Sequence, residues 1–349
     1  MNNYKQSLRA SAFKTILGIE TSCDETAAAV LRRDESGIQV LSNVVASSSE
    51  LQATFGGVIP EQAAREQLKA IIPVIETAVK KSGLSLEEID AIAVTYGPGL
   101  IGSLLIGVET AKALAAVWGK PLIPVNHLLG HFYANFISPD LSESSDFKAP
   151  SFPCIGLLVS GGHTDLVLFK NHMEYEYLGG TRDDAAGECF DKSARLMGLP
   201  YPGGPEISRL AKSGDGSKIK LPKPMMGSGD FDFSFSGLKT AVSTYIKDNP
   251  DYVKEDLAAA LEQTIIDVLI KKTIGAEDKH QISEIMIAGG VAANDQLSAG
   301  LRRISHVSVR NPQKIFCTDN GAMIAAAAFF IEPSNNPLEL QADPNLSLS

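Results

Sequence analysis

Two stretches of this chain share one plan: ILGIETSCDETAAAVL (residues 16–31) and CIGLLVSGGHTDLVLF (residues 154–169). In each stretch an apolar run ends in a polar or glycine-bearing turn, and a second apolar run follows directly. This pattern predicts two strands joined by a tight reversal. Because the plan occurs twice, we interpret the chain as two related halves.

Each half also contains a later apolar run that ends in a glycine turn and continues into a helical pattern. These segments are IDAIAVTYGPGLIGSLLIGVETAKAL (residues 89–114) and ISEIMIAGGVAANDQLSAGL (residues 282–301). Such runs are typical of α/β proteins. The sequence therefore predicts an α/β fold with an N-terminal lobe over residues 14–140 and a C-terminal lobe over residues 151–330. A ligand is expected in the cleft between two such lobes.

Two polar stretches flank the predicted C-terminal lobe. Residues 137–153 are polar and contain proline, which favours a linker or hinge. Residues 331–349 are interpreted as a tail that either packs back or is disordered.

Composition narrows the class of protein. The 349 residues carry a net charge of −10, which argues against broad electrostatic binding to nucleic acid without a basic patch or a partner. The four cysteines have no CxxC spacing, so we expect free thiols in a reducing compartment. We find no signal-peptide core and no apolar run that we expect to span a bilayer, which predicts a cytoplasmic protein without a membrane.

His127 and His131 form the clearest chemical motif. Residues four apart on a helix lie on one face, one turn apart, so two imidazoles can bind one metal ion. Metalloproteases with this spacing place a water-activating glutamate directly after the first histidine, where this chain has Leu128. Asp319 would complete a set of two histidines and one carboxylate suited to Fe²⁺ or Zn²⁺. The alternative is that Asp319 is the N-cap of the following helix.

Glycine-rich turns after predicted strands indicate a nucleotide. Gly161 and Gly162 would let backbone N–H groups approach an anion, although the same residues suit an ordinary hairpin. The glycine pair at 289–290 opens a helix, the geometry that binds phosphate, and Asn294 there either contacts a base or ribose or lies in the first helical turn. Asp191 is a candidate for ribose hydroxyls, or for an ion pair with Arg195.

The polar turn at residues 20–25 offers carboxylates and hydroxyls. It either holds a hydrated magnesium ion or is a solvated turn. The residues give no firm general base, and Glu20, Asp24 and His163 are the candidates.

Nine ordered segments resemble the bacterial tRNA threonylcarbamoyladenosine synthesis family, also called TsaD and formerly O-sialoglycoprotein endopeptidase. They run from about Ile16 to Ala328 and are GIETSCDET, GGVIPE, YGPGLIGSLLIGV, NHLLGH, LLVSGGHT, DDAAGECFDKSARLMGLPYPGGP, FSFSGLKTAV, IAGGVAAN and CTDNGAM. The resemblance implies an actin, hexokinase and Hsp70-type fold of two duplicated RNase H-like lobes. The chain departs from the family pattern at Gln67, where many relatives have histidine, and at Ser208, where some have aspartate near the nucleotide.

The resemblance also implies roles for particular residues. It implies that His127, His131 and Asp319 bind one metal ion, with Fe²⁺ favoured over Zn²⁺, and that Mg²⁺ can accompany the nucleotide. The implied adenylate site has a phosphate side at Leu158, Val159, Ser160, Gly161 and Gly162, and an adenosine side at Asp191, Gly204 and Asn294.

The implied reaction moves threonylcarbamoyl from threonylcarbamoyl-AMP to N6 of the tRNA adenosine just 3′ of the anticodon, in tRNAs that read codons beginning with A. The implied partners are tRNA, a TsaB-like paralogue, a TsaE-like ATPase and an upstream TsaC-like synthase. In the metal-assisted reaction, backbone N–H groups of residues 160–162 stabilise the AMP leaving group.

Other readings of the residues stay open. An actin-like ATPase or small-molecule kinase would use Asp24 for Mg²⁺ and the glycine turns for ATP, but it would not need His127 and His131 together with Asp319. A nucleotide-binding scaffold would catalyse nothing. A peptidase is least favoured, because Leu128 occupies the place of the glutamate.

Overall fold

The computed structural model describes residues 13–48, 52, 57–139 and 147–349. Part of the predicted linker, residues 140–146, lies outside the described residues. The chain divides into two compact units. The first contains the described residues of 1–48, 59–149 and 318–348, and the second those of 49–58 and 150–317 together with Ser349.

The elements follow in chain order. The strands are β1 (Thr15–Glu20), β2 (Glu25–Asp34), β3 (Gly37–Ser47), β4 (Ala91–Gly97), β5 (Leu122–Asn126), β6 (Cys154–Val159), β7 (Thr164–Asn171), β8 (Glu174–Gly180), β9 (Glu284–Ala288) and β10 (Ser308–Arg310). The α-helices are α1 (Pro60–Ser82), α2 (Ile101–Trp118), α3 (His127–Tyr133), α4 (Ala186–Leu196), α5 (Gly203–Ala211), α6 (Ser236–Asp248), α7 (Lys254–Lys279), α8 (Asp295–Ile304) and α9 (Gly321–Ala328).

The sheet of the first unit has the order β3-β2-β1-β4-β5. Strand β1 pairs antiparallel with β2, from Thr15 opposite Arg32 to Glu20 opposite Ala27, and parallel with β4. All six residues of β1 are buried, as expected for a central strand covered on both faces. The predicted hairpin over residues 16–31 is therefore confirmed.

The sheet of the second unit has the order β8-β7-β6-β9-β10. Strand β6 pairs antiparallel with β7 and parallel with β9, which repeats the relations of β1 to β2 and β4. The order and the directions agree strand for strand, so the predicted duplication of an α/β unit is confirmed. The core of this unit lies between the sheet and helices that include α7, whose Leu261, Ile265 and Leu269 are buried.

Helix α9 explains a difference from the predicted lobe boundaries. Residues 318–330 were predicted in the C-terminal lobe, but they belong to the first unit. All eight residues of α9 are buried, and the helix packs on β1, β2 and α3. At Gly18 of β1 an added Cβ would lie 2.6 Å from the backbone nitrogen of Ala325, so only glycine permits this approach.

The C-terminal tail packs back onto the first unit. The Asp343 N–H donates to the Tyr96 carbonyl (2.7 Å), and the Gly99 N–H donates to the Pro344 carbonyl (3.3 Å). The side chain of Leu348 is buried. Of the two alternatives left open for this segment, the structure therefore contains the packed one.

Helix α2 departs from one prediction. By length and composition alone it could cross a membrane, with 18 residues and a mean hydropathy of 1.4. The sequence had instead predicted that no apolar run spans a bilayer. Leu104, Val108 and Ala111 on one of its faces are buried, and α2 packs against β4 and α1. A helix that covers a sheet needs this kind of apolar face.

Candidate metal centre and nucleotide turns

The two histidines of the motif lie on one short buried helix. Helix α3 begins at His127 directly after β5, and the Asn126 side chain caps it by accepting the Leu128 N–H (2.8 Å). All seven residues of α3 are buried. The ring centroids of His127 and His131 are 4.6 Å apart, so the predicted placement on one helix face is confirmed.

Asp319 joins this pair from the segment that leads into α9. Its Oδ1 lies 3.2 Å from Nε2 of His131 and 3.6 Å from Nε2 of His127. One ligand atom from each of the three residues falls within 4.8 Å of the others. The N-cap of α9 is Asn320, whose Oδ1 accepts the Met323 N–H (3.0 Å), so the interpretation of Asp319 as that cap is wrong.

Glu20 orients the first histidine. Its Oε2 lies 3.1 Å from Nδ1 of His127 and also accepts the hydroxyl of Thr95, while its Oε1 accepts the Ser22 N–H. A proton shared between Nδ1 and this carboxylate leaves Nε2 as the lone-pair donor on the side of Asp319. Burial alone would lower the pKa of His127, but the charges of Glu20 and Asp319 outweigh burial and raise it to about 9, so a metal ion that binds at Nε2 would displace a proton there.

His131 supplies the test of whether these residues suit a metal ion. The residue is only 2% exposed, and neither ring nitrogen forms a hydrogen bond with a described residue, although Oδ1 of Asp319 lies 3.2 Å from Nε2. A buried polar atom left in this way is costly. A metal ion bound at Nε2 would satisfy it, and Asp319 lies beside the same atom. The residues therefore fit a metal ion, and imidazole with carboxylate suits iron(II) and zinc alike.

The polar turn between β1 and β2 adds negative charge near Asp319. Burial, followed by the charges of Asp319 and Asp24, raises the pKa of Glu25 to about 10. Burial and the charge of Asp24 also raise the pKa of the Cys23 thiol. Gln67 braces this turn, because its Nε2 donates to the carbonyls of Cys23 (3.0 Å) and Glu25 (2.8 Å). Gln67 thus holds the backbone of the turn.

The turn after β6 carries the predicted phosphate-side residues of the second unit. Leu158 and Val159 are buried in the strand itself. The Ser160 N–H donates to the His163 carbonyl (2.9 Å), so it closes the hairpin. Gly161 and Gly162 are exposed, and an added Cβ would meet nothing within 4 Å at either. An approaching anion would therefore meet the two glycines, and the Ser160 N–H is already used.

Asp191 and Gly204 lie where α4 meets α5. Oδ1 of Asp191 accepts the Gly203 N–H (2.7 Å), which ties the start of α5 to α4. At Gly203 an added Cβ would lie 2.5 Å from Cβ of Ala194, whereas at Gly204 the nearest atom is Cβ of Phe190 at 3.9 Å. Gly203 is thus the packing glycine, and Gly204 leaves space beside it.

Asn294 is the N-cap of α8. Its Oδ1 accepts the N–H groups of Gln296 (2.9 Å) and Leu297 (3.2 Å). Its Nδ2 donates to Oγ of Ser208 (3.1 Å) and to Oε1 of Glu262 (2.7 Å). Sequence reasoning missed Glu262, because a single acid within a long helix gives no signal of its own.

These turns share one edge of the second sheet. Parallel strands β6 and β9 end at Val159 and Ala288, and their turns follow directly. Gly289 has a φ of 91°, and an added Cβ would lie 2.5 Å from the Val159 carbonyl oxygen. The Gly187 N–H at the start of α4 donates to the Ser160 carbonyl (3.2 Å). Ligands of open α/β sheets bind at this carboxyl edge.

Three features define the class of protein to which this chain belongs. They are the two duplicated α/β units, the cluster of two histidines and one aspartate, and the glycine turns at the ends of parallel strands. The chain is an α/β protein with a duplicated, actin-like fold and a candidate metal centre.

Comparisons with known proteins give the family. The model of the tRNA N6-adenosine threonylcarbamoyltransferase family, TsaD, matches residues 39–326. The chain is 47% identical to the protein of that name from Thermomicrobium roseum, over 95% of this chain and 96% of the relative. It is 45% identical to that from Bacillus subtilis, over 96% of each. The chain belongs to the tRNA N6-adenosine threonylcarbamoyltransferase family.

Solved structures agree with the fold. HypF from T. kodakarensis has a TM-score of 0.58 at 12% identity, over 91% of this chain and 47% of that one. Component A of the (R)-2-hydroxyglutaryl-CoA dehydratase of Acidaminococcus fermentans has a TM-score of 0.51 at 14% identity, over 90% and 98%. At such identities the likeness concerns the fold alone.

Proposed function

We propose that this protein transfers the threonylcarbamoyl group from threonylcarbamoyl-AMP to N6 of the adenosine 3′ of the anticodon, in tRNAs that read codons beginning with A. Relatives named tRNA N6-adenosine threonylcarbamoyltransferase match almost the whole chain, and this observation carries the proposal. The candidate metal centre of His127, His131 and Asp319 supports it. We propose that the enzyme works in the cytoplasm.

The three clustered side chains would hold one Fe²⁺ or Zn²⁺ ion. Such an ion would supply Lewis-acid polarisation of the carbamoyl carbonyl or anchor oxygens of the donor. Glu20 keeps Nδ1 of His127 occupied, so Nε2 faces Asp319. The packing of α3 and α9 keeps the three ligands in place without rearrangement.

The adenylate is assigned to the turns of the second unit. Gly161 and Gly162 offer open backbone to the phosphate, and Gly204 leaves room beside α4. Leu158, Val159 and Ser160 shape the phosphate side as strand and hairpin residues. Asp191 is assigned to contact the adenosine, and Asn294 lies on the adenosine side with its amide bonded to Ser208 and Glu262. Mg²⁺ bound with the nucleotide is part of the same proposal.

The chemistry requires that N6 of the adenosine attack the carbamoyl carbon, that the bond from this carbon to the AMP oxygen break, and that the amine lose a proton. Donors aimed at the leaving phosphate stabilise the charge that develops on AMP. Glu20 already accepts hydrogen bonds from Ser22 and Thr95 and lies beside His127, so we assign it to orientation. Asp24 and His163 remain the candidates for the base.

Nucleoside mass spectrometry tests the proposed function. We expect tRNA from cells depleted of this protein to lose threonylcarbamoyladenosine, and the full chain to restore it. The reconstituted reaction would contain tRNA, threonylcarbamoyl-AMP, a TsaB-like paralogue and a TsaE-like ATPase, with a TsaC-like synthase supplying the donor. Persistence of the modified nucleoside in depleted cells would overturn the proposal. ATP hydrolysis without tRNA, together with unaltered tRNA, would favour the kinase or ATPase class instead.

A further inference from the structure

Glu262 is a buried acid that the proposed function leaves without a role. It lies in the first half of α7 and is 7% exposed. It has no ion pair with any described residue. A buried carboxylate without a cation is expensive unless hydrogen bonds or a ligand compensate for the lost water. Its position therefore calls for an explanation.

The hydrogen bonds of Glu262 all involve one oxygen. Oε1 accepts the hydroxyl of Ser208 (2.6 Å) and the amide of Asn294 (2.7 Å). Its second oxygen, Oε2, accepts no hydrogen bond from the residues that the structure describes. A carboxylate oxygen can accept two donors, so Oε2 has unused capacity.

By contrast, the side-chain amide of Asn294 has no unused hydrogen-bonding position. Its two amide hydrogens go to Ser208 and Glu262, and its carbonyl oxygen accepts two backbone N–H groups of α8. A side-chain amide has two donors and two acceptor positions. A nucleoside could bond to this amide only by breaking the helix cap or the contact with Glu262.

A cavity of about 430 Å³ adjoins Glu262. Its lining includes Glu262, Gln263, Gln296, Gly214 and Gly216. This volume lies in the range of roughly 300–1,000 Å³ that is common for small-molecule sites. Gln296 lies in the first turn of α8, two residues after its N-cap Asn294, so the cavity adjoins the start of this helix.

We propose that Glu262 binds the ribose hydroxyls of the adenylate through Oε2, and that Asn294 and Ser208 are positioning residues that hold this carboxylate. A carboxylate accepts hydrogen bonds from the two adjacent ribose hydroxyls, as acidic residues do in dinucleotide-binding folds. The Ser208 hydroxyl donates to Oε1 of Glu262, which leaves Oε2 for a ligand. This inference rests on the proposed function, because that function supplies the adenylate.

The variant that isolates this role is Glu262→Gln. The glutamine oxygen can still accept from Ser208 and Asn294, while an NH₂ group, which cannot accept, replaces Oε2. Affinities of the full-length protein for AMP, 2′,3′-dideoxy-AMP and inosine monophosphate would be measured by calorimetry. We expect the wild type to prefer AMP over the dideoxy nucleotide by about 10- to 100-fold, the range for a hydrogen bond to a charged group. We expect Glu262→Gln to lose most of this preference.

Glu206→Gln is the matched control. Glu206 lies on α5 like Ser208, but it forms an exposed pair with Arg209 (2.8 Å), so the preference for AMP should be unchanged. A thermal melt of each variant checks that it is folded.

Two outcomes would overturn the assignment. One is a wild type without preference between AMP and the dideoxy nucleotide, a result that needs no variant. The other is a Glu262→Gln protein that keeps the ribose preference or loses only the discrimination against inosine monophosphate. These binding measurements contain no tRNA, so they test the role of Glu262 separately from the proposed function. If the wild type prefers AMP as expected but tRNA is not modified, the proposed function is overturned and the role of Glu262 is not.

Discussion

His127 and His131 share one helix face but differ in what holds their rings. Glu20 lies beside His127, whereas both nitrogens of His131 lack a hydrogen-bond partner among the described residues. We therefore expect His131→Ala to lower bound metal at least about tenfold without unfolding the protein, since the removed ring forms no hydrogen bond with a described residue. Elemental analysis of the purified protein measures the metal. His306→Ala, at an exposed histidine, is the control, and a variant that keeps full metal would contradict the ligand assignment.

Asp165 gives a prediction about pH. Burial raises its pKa from 3.8 to about 6, partly opposed by the hydrogen bond from the Tyr177 hydroxyl (2.9 Å). The folded state thus binds this proton more tightly than the unfolded state, so the stabilisation is complete below about pH 4 and is lost as pH rises through 6. Asp165→Asn cannot ionise, yet it still accepts from Tyr177.

We expect Asp165→Asn to be more stable than the wild type at pH 7.5 by roughly 1–3 kcal/mol, with the difference vanishing near pH 4. Urea unfolding at several pH values measures this difference. The same change at the exposed Asp251 should leave the pH dependence unchanged. A constant difference between pH 4 and 7.5 would show that ionisation of Asp165 is not its cause.

At the scale of elements, the contact of β1 with α9 determines where Asp319 lies. A methyl group at Gly18 would collide with backbone atoms of Gly321 and Ala325, which cannot rotate away as a side-chain end can. We expect Gly18→Ala to lower the free energy of unfolding by about 1–3 kcal/mol or more and to weaken metal binding. Gly237→Ala, with open space around its Cα, is the control for chemical denaturation. Unchanged stability and metal binding in Gly18→Ala would refute this close packing.

The local elements could be predicted from sequence because each carries its own signal in contiguous residues. The hairpins over 16–31 and 154–169 show apolar runs on both sides of a turn, and the turn after β4 shows its glycines. The place of α9 could not be predicted in this way. An alanine-rich helix is apolar all round, so its pattern does not specify which sheet it covers.

The residues of the candidate site also differ in whether contiguous sequence predicts them. His127 and His131 could be predicted because their spacing sets their geometry on a helix. Asp319 is distant in sequence, and its own signal also suited a helix cap, so the family resemblance was needed to select it. Glu262 gave no signal because its role depends on Ser208 and Asn294, which lie at other elements.

At the scale of the whole chain, the first unit is built from two parts of the sequence that lie far apart. Its sheet comes from the first part of the chain, and its last helix and tail come from residues 318–348. The tail hydrogen-bonds to Tyr96 and Gly99 at the end of β4, and the Leu340 carbonyl accepts from Lys112 of α2 (3.2 Å). Tyr96, Gly99 and Lys112 all belong to the first unit.

We therefore expect deletion of residues 337–349 to destabilise the first unit by at least about 2–3 kcal/mol, because it removes three hydrogen bonds at about 1 kcal/mol each and also the buried Leu348 side chain. Hydrogen exchange should speed up in β4 and α2 and stay unchanged in β9. Metal content should persist, because none of the three ligands lies in the deleted segment. Asn345→Ala, at an exposed tail residue, should change neither exchange nor stability. Equal exchange of β4 in the full and shortened chains would mean that the packed tail contributes nothing to the first unit.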